Sequence, residues 1–162
     1  MKTLLLVRHS EAEEGFGKQD FDRQLTPRGI AKVSELLLQI KAQNFSPQLI
    51  ITSSAARTYQ TAKLISEGIG YEVNNIASRQ RIYNTSLDTL WYTVVDLPNE
   101  LDTVMLVNHN PAISFLVGLL LAPKQHISMQ PCGAYCLQFK LNDWSELPEN
   151  QGSKLWHYEP KW

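Results

Sequence analysis

The stretch "LLLVRHSEAEEG", from Leu4 to Gly15, decides the fold because four apolar residues end abruptly in an arginine and a histidine. The apolar run predicts a buried strand over about residues 3–7, followed by a polar loop. Arg8 and His9 would then stand at the carboxyl end of this strand. Ligands of open α/β sheets gather outside the carboxyl ends of the strands, so the pair is a candidate binding element.

Two more apolar runs end in the same way. "LIIT" (49–52) leads through two serines to Arg57, and "DTVMLV" (102–107) leads directly to Asn108 and His109. If the three strands run parallel, their carboxyl ends meet at one edge of the sheet, and two arginines and two histidines converge there. Such a set suits a dianion such as a phosphoryl group, since arginine forks match phosphate oxygens.

Helical segments alternate with these strands. Thr26 and Pro27 form an N-terminal signal, and so do Ser53 or Ser54, Ser86 and Pro111. The remaining predicted strands cover about residues 71–76, 134–141 and 154–158. The alternation predicts an α/β fold with a mostly parallel sheet covered on both faces by helices. The last two strands are joined without a helix, which predicts an antiparallel edge.

Length and composition exclude several classes of protein. The 162 residues predict a single domain over 1–162, with 43% apolar and 19% charged residues and a net charge of −1. This net charge gives no indication of the basic surface that nucleic-acid-binding proteins carry. The longest apolar run, 113–122, is too short to span a membrane, and the N-terminus lacks a signal peptide, so the cytoplasm is the expected compartment. Cys132 and Cys136 match no zinc or redox pattern and are expected to be buried and reduced. With no clustered metal ligands in the sequence, we expect neither a metal nor another cofactor.

Arg57 has a local argument of its own. It falls in the first turn of its helix, where the helix dipole is already positive, at a cost of a few tenths of a kcal/mol. An anion at that position would satisfy both the arginine and the free helix N–H groups. The alternative is an arginine that bends away into solvent. His9 and His109 also have ordinary structural alternatives when each is taken alone, and the joint placement favours function.

The motifs "RHS", "SSAARTYQTA" and "NHNP" resemble those of the histidine phosphatase superfamily. The short chain, the stretch "DFDRQLTPRG" and the absence of a long insertion look like its SixA-type phosphohistidine phosphatase branch. The resemblance covers about the first 120 residues and keeps the order of the motifs. It implies a three-layer α/β/α sandwich.

The resemblance also implies roles for individual residues. His9 would be the nucleophile, Arg8 and Arg57 would bind phosphate, and His109, if protonated, would add a third cationic donor. Arg23, in "DRQLT", resembles a further phosphate contact. Its alternative is a loop arginine paired with Asp20 or Asp22, and Asp22 is also a weak candidate for proton transfer.

One departure from the larger family bears on the substrate. Many members place a glutamate after the second helix as general acid, but the comparable region here, "SRQRIYNTSLDTL", has Tyr83 and Asn84. A phosphohistidine leaving group can already carry a proton, so we expect a SixA-like enzyme acting on phosphohistidine. The partner would be a phosphorylated protein or a small phosphorylated molecule. A small-molecule phosphatase or pyrophosphatase, and a non-catalytic phosphate-binding module, remain the alternatives.

Overall fold

The computed structural model describes residues 1–162 and contains one six-stranded sheet with four α-helices. The strands are β1 (Lys2–Arg8), β2 (Leu49–Ser53), β3 (Ala77–Arg79), β4 (Thr103–Asn108), β5 (Ala134–Phe139) and β6 (Ser153–Tyr158). The helices are α1 (Pro27–Ala42), α2 (Ala56–Ile69), α3 (Leu87–Val95) and α4 (Ala112–Leu120). Short 3₁₀ turns cover Asp20–Asp22, Val73–Asn75, Gln80–Ile82 and Trp144–Glu146.

The strand order across the sheet is β3-β2-β4-β1-β5-β6. β4 lies between β1 and β2 and is parallel to both, and β3 is parallel to β2. β5 and β6 are antiparallel additions at the β1 side. The predicted mostly parallel sheet with an antiparallel edge is therefore confirmed.

Two apolar cores lie on opposite faces of the sheet. Successive side chains of a strand point to opposite faces, so Leu4 and Leu6 of β1 pack with α3 and α4, while Leu5 and Val7 pack with α1 and α2. All four residues of this run, three leucines and one valine, are fully buried. The result is the three-layer α/β/α sandwich that the resemblance implies.

The starts of the helices follow the sequence signals with one exception. Thr26 caps α1 by accepting a hydrogen bond from the Gly29 amide, and Ser86 caps α3 in the same way. The prediction that Ser53 or Ser54 opens α2 was wrong, because the N-cap is Ala55 and no side chain caps this helix. The Ser53 hydroxyl belongs to the site described below.

The predicted strand over 71–76 was also wrong. The Glu72 side chain accepts a hydrogen bond from the Asn74 amide and starts a 3₁₀ turn, a local alternative that competes with strand pairing. The strand begins only at Ala77 and pairs with the end of β2. Elsewhere, Cys132 and Cys136 are buried and free, as expected. No helix combines the length and apolar character needed to cross a membrane.

Candidate active site

The carboxyl ends of β1, β2 and β4 meet at one edge of the sheet, since the three strands are parallel neighbours. This edge brings together all four residues that the strand ends suggested: Arg8, His9, Arg57 and His109. His9 and His109 face each other with ring centroids 5.2 Å apart. The adjoining cleft is lined by Arg57 and His109, and by Asp20 and Tyr83 from elsewhere in the chain.

His9 is held in one tautomer by the backbone. Its Nδ1 lies 2.6 Å from the carbonyl oxygen of Ser10. A carbonyl oxygen only accepts, so Nδ1 carries the proton and Nε2 carries the lone pair. Burial lowers the pKa of His9 to about 3, and the nearby Arg57 and Arg8 act in the same direction. Near pH 7 the ring is therefore a neutral imidazole with a free nucleophilic nitrogen.

His109 is fixed by a serine that the sequence analysis did not assign to the site. Its Nε2 lies 2.9 Å from the Ser53 hydroxyl, which also accepts a hydrogen bond from the Ala55 amide. When the Ser53 hydroxyl donates its proton to Nε2, the proton of the neutral His109 ring is on Nδ1. Burial and the charge of Arg57 lower the pKa of His109 to about 4. Near pH 7 the ring is therefore a neutral imidazole in the protein without a bound anion, and the role of a protonated His109 as a third cationic donor stays a prediction.

Three buried side-chain nitrogens in the molecule have no hydrogen-bond partner, and all three lie at this edge: Arg8 Nε, Asn108 Nδ2 and His109 Nδ1. Arg8 and Asn108 are register partners on β1 and β4. The guanidinium of Arg8 makes one hydrogen bond, from Nη1 to the Met129 carbonyl at 2.8 Å. Buried donors are rarely left unpartnered in folded proteins, so their concentration here marks a place prepared for an acceptor.

Arg57 does not bend into solvent. It is 7% exposed, and both of its terminal nitrogens donate to Asp20: Nη1 to the carbonyl oxygen at 2.8 Å and Nη2 to the carboxylate at 3.0 Å. The helix dipole argument predicts an anion beside this arginine. Within the chain itself, that anion is the Asp20 carboxylate.

Asp20 also belongs to the site, although the sequence analysis considered it only as a possible partner of Arg23. Its carboxylate accepts hydrogen bonds from Tyr83 at 2.6 Å and from Arg23 at 2.9 Å, in addition to Arg57. The Tyr83 hydrogen bond, followed by those from the two arginines, holds the pKa of Asp20 well below its usual range. Tyr83 is 63 residues away in sequence, and no local signal links the two.

Arg23 and Asp22 are placed differently from each other. Arg23 donates to Asp20 and, through Nε, to the Glu13 carbonyl at 2.7 Å, so the pairing considered as its alternative is present. It reaches the site through Asp20. Asp22 is exposed and is not among the residues that line the cleft. The structure does not bring Asp22 to the cleft.

A run of edge-to-face aromatic contacts supports the two histidines. Phe21 contacts Tyr83 with ring centroids 5.0 Å apart, and Tyr83 contacts His109 at 5.6 Å. With the His9–His109 contact, four rings form one continuous row. Such contacts favour defined ring orientations, so the row helps to hold both imidazoles at this edge of the sheet. No group of three or more His, Cys, Asp or Glu side chains is arranged to hold a metal ion.

Comparison with known proteins finds similarity to the same family that the motifs resemble. The model of the histidine phosphatase superfamily (branch 1) matches residues 4–80. An uncharacterized chloroplastic protein of Arabidopsis thaliana is 25% identical over 169 residues, covering 98% of this chain and 76% of that protein.

Solved structures extend the similarity over the whole fold. A candidate phosphohistidine phosphatase SixA from Nakamurella multipartitia superposes with a TM-score of 0.84 at 22% identity, covering 98% of this chain and 96% of the other. The protein histidine phosphatase SixA complexed with tungstate gives a TM-score of 0.82 at 17% identity, with coverages of 97% and 96%. The likeness of this chain to the histidine phosphatase superfamily, and in fold to its SixA-type members, is thereby confirmed.

Proposed function

We propose that this chain is a phosphatase that transfers a phosphoryl group to His9 Nε2 and then to water, with phosphohistidine as its substrate. The observation that carries the proposal is the hydrogen bond from His9 Nδ1 to the Ser10 carbonyl. It leaves the Nε2 lone pair free on a ring that is neutral near pH 7. A positioned neutral imidazole is a competent nucleophile toward phosphorus. The superfamily match supports phosphatase activity.

In the first step the Nε2 lone pair forms a bond to phosphorus while the bond from phosphorus to the leaving group breaks with its electron pair. In the second step water attacks phosphorus, the N–P bond breaks and Nε2 regains its lone pair, while the water gives up a proton to solvent. Arg8 and Arg57 would neutralise the charge on the equatorial oxygens in both steps. The unpartnered Nδ1–H of His109 would supply one more donor.

The side chains lining the cleft favour a leaving group that needs little help from an acid. Asp20 is the carboxyl group that lines it, and its hydrogen bonds keep it ionised near pH 7. Tyr83 already donates its proton to Asp20, which raises the pKa of the phenol. A phosphohistidine that carries a proton on its second ring nitrogen can leave without a general acid. We infer a phosphorylated protein as partner, in the cytoplasm.

Two other functions fit parts of the same arrangement. A small-molecule phosphatase or pyrophosphatase would use the same nucleophile with a different leaving group. A module that only binds phosphorylated partners would need the arginines but not the free Nε2 of His9. The fixed tautomer of His9 therefore favours an enzyme over a binding module.

Covalent trapping tests the nucleophile. The wild-type protein, mixed with an activated aryl phosphate and quenched, should carry one acid-labile phosphate on His9. His9→Ala should lose the phosphoenzyme and at least about 10⁴-fold in turnover, the scale seen when a nucleophile is removed. His126→Ala, at an exposed histidine outside the cleft, is the matched control and should behave as wild type. Turnover by His9→Ala near the wild-type rate would exclude this mechanism.

A leaving-group series tests the substrate class. General acid catalysis contributes ~100- to 10,000-fold, so kcat/KM for phosphoramidates and activated aryl phosphates should exceed that for alkyl and sugar phosphates by that order. Phosphohistidine in a protein should be hydrolysed faster than phosphoserine at the same position. A flat series with chemistry rate-limiting would show that an acid has been missed and would favour the small-molecule phosphatase.

A further inference from the structure

Both terminal nitrogens of Arg57 are engaged by a single residue. Nη1 donates to the backbone carbonyl of Asp20 at 2.8 Å, and Nη2 donates to its Oδ2 at 3.0 Å. Arginine binds carboxylates and phosphates through this same pair of terminal groups. Asp20 thus occupies the fork of Arg57 that an incoming oxyanion would use.

The same carboxylate oxygen takes a second donor from the cleft. Tyr83 donates its hydroxyl proton to Asp20 Oδ2 at 2.6 Å. Asp20, Arg57, Tyr83 and His109 all line the cleft. One oxygen of Asp20 therefore stands where an oxygen of a bound phosphoryl group would meet Arg57.

Asp20 is the partner that can move. Its side chain is 52% exposed and belongs to a three-residue 3₁₀ turn, whereas the Arg57 side chain is 9% exposed and is anchored in α2. The other oxygen of Asp20 accepts a hydrogen bond from Arg23 at 2.9 Å. If Oδ2 leaves Arg57, the Asp20 carboxylate still has Arg23 as a cationic partner and does not become an unpaired charge.

We propose that Asp20 is an internal anion that competes with phosphate for Arg57, and that a phosphoryl group displaces its carboxylate toward Arg23 when it binds. The inference rests on the proposed function in taking Arg57 as a phosphate ligand. The competition weakens the binding of both substrate and product. Because the carboxylate can return to Arg57, it also promotes the release of inorganic phosphate after hydrolysis.

A different role for Asp20 would have the opposite sign. If the carboxylate only orients Arg57 and stays bonded to it while the remaining N–H groups bind phosphate, its removal loosens Arg57 and weakens phosphate binding. Displacement and orientation are therefore separated by the direction in which phosphate affinity changes.

The test is the affinity for inorganic phosphate, measured by calorimetry and as product inhibition of aryl phosphate hydrolysis. Asp20→Asn and Asp20→Ala should bind phosphate about tenfold more tightly than wild type, the effect of removing one competing charge-assisted hydrogen bond. Asp22→Asn is the matched control for phosphate affinity, since it removes the same charge from the same turn but has no contact with Arg57. Its phosphate affinity should stay within about twofold of wild type, well short of the roughly tenfold gain expected for the Asp20 variants.

Weaker or unchanged phosphate binding in both Asp20 variants would overturn the displacement, and so would an equal gain in Asp22→Asn, which would show a general charge effect. If the wild type forms the phosphoenzyme while the Asp20 variants show no gain, only this inference fails. If neither wild type nor the Asp20 variants bind phosphate and no phosphoenzyme forms, the proposed function fails with it.

Discussion

The two ends of β1 each carry a cation, the buried Lys2 at one end and the half-buried Arg8 at the other, and the two differ in how completely their donors are satisfied. At the amino end, Lys2 is 1% exposed and its Nζ donates to the Asn99 carbonyl at 2.6 Å, the Leu101 carbonyl at 3.1 Å and the Asp102 carboxylate at 2.8 Å. At the carboxyl end, Arg8 has one hydrogen bond to a backbone carbonyl, and its Nε has none.

The difference separates a charge that stabilises the fold from a charge that we propose binds a ligand. A buried donor without a partner costs about 1–3 kcal/mol, and the carboxyl edge carries three such nitrogens. The amino edge of the same strand shows that this sequence can satisfy a buried cation completely. Local rules are typically broken at functional sites, so the unpartnered donors at the carboxyl edge indicate where the function lies.

The largest effect is expected from the same substitution made at both ends. Arg8→Met should lower kcat/KM for an aryl phosphate by about 10³-fold, since one preorganised donor is removed from the transition state. Lys2→Met should leave kcat/KM of the folded protein within about twofold of wild type, as expected for a site without transition-state contacts. Steady-state kinetics with both purified variants decides this. Similar activity losses in the two would erase the functional contrast between the ends.

Arg57 extends the contrast to the neighbouring strand. Arg57→Ala should lose roughly 3 kcal/mol of transition-state stabilisation, measured as kcat/KM. It should still fold, because the arginine contacts the half-exposed Asp20 and not an apolar core. Arg57→Lys should rescue poorly, since the two-pronged fork is lost. A fully active lysine variant would show that only the charge matters.

For stability, unlike activity, the larger effect is expected from Lys2→Met and the smaller from Arg8→Met. Lys2→Met should lower the free energy of unfolding by about 2 kcal/mol, because it removes hydrogen bonds from a charged group and leaves the Asn99 carbonyl without this donor. Arg8→Met should cost less than about 1 kcal/mol, since a half-buried and only partly satisfied charge is removed along with its single hydrogen bond. Urea unfolding monitored by circular dichroism measures both. A larger loss for Arg8→Met would contradict the assignment of the two ends.

The last prediction concerns the pH dependence of stability. The folded pKa values of His9 and His109, about 3 and 4, lie below the ordinary value of 6.5. Between pH 6.5 and about 4.5 the unfolded chain therefore binds protons that the folded chain does not, so the free energy of unfolding should fall as pH falls. His9→Gln should show a shallower slope over this range. Identical slopes would mean that His9 titrates near its ordinary pKa in the folded protein.

The sequence was sufficient for the part of the site that depends on strand ends. Arg8, His9 and His109 directly follow apolar runs, and the parallel sheet places such residues at one edge whatever the details of packing. Arg57 was placed at this edge by its position in the first turn of α2, where the helix dipole favours an anion. What could not be found was the identity of that anion within the chain.

The residues missed by the sequence analysis depend on contacts between distant segments. Asp20 meets Arg57 and Tyr83 across 37 and 63 residues, and Ser53 meets His109 across 56. The periodicity of apolar residues along a chain does not predict contacts over such sequence separations. Ser53 was misread for a related reason: a serine after a strand and before a helix is typical of an N-cap, whereas here tertiary contact with His109 determines its role. Asp22, the weak candidate for proton transfer, is exposed and is not among the residues that line the cleft, so its role stays a prediction.

The strand order has a consequence for how the protein is made. β1 and β2 are not hydrogen-bonded to each other, because each pairs with β4, as shown by the matches of Leu5 and Ile50 to the same residue, Met105. Contacts of such long sequence separation form slowly, since the chain must first close large loops. On the ribosome, Arg8 and Arg57 are synthesised long before the strand that brings them together. The candidate active edge is therefore complete only after β4 has been synthesised and has paired with both β1 and β2.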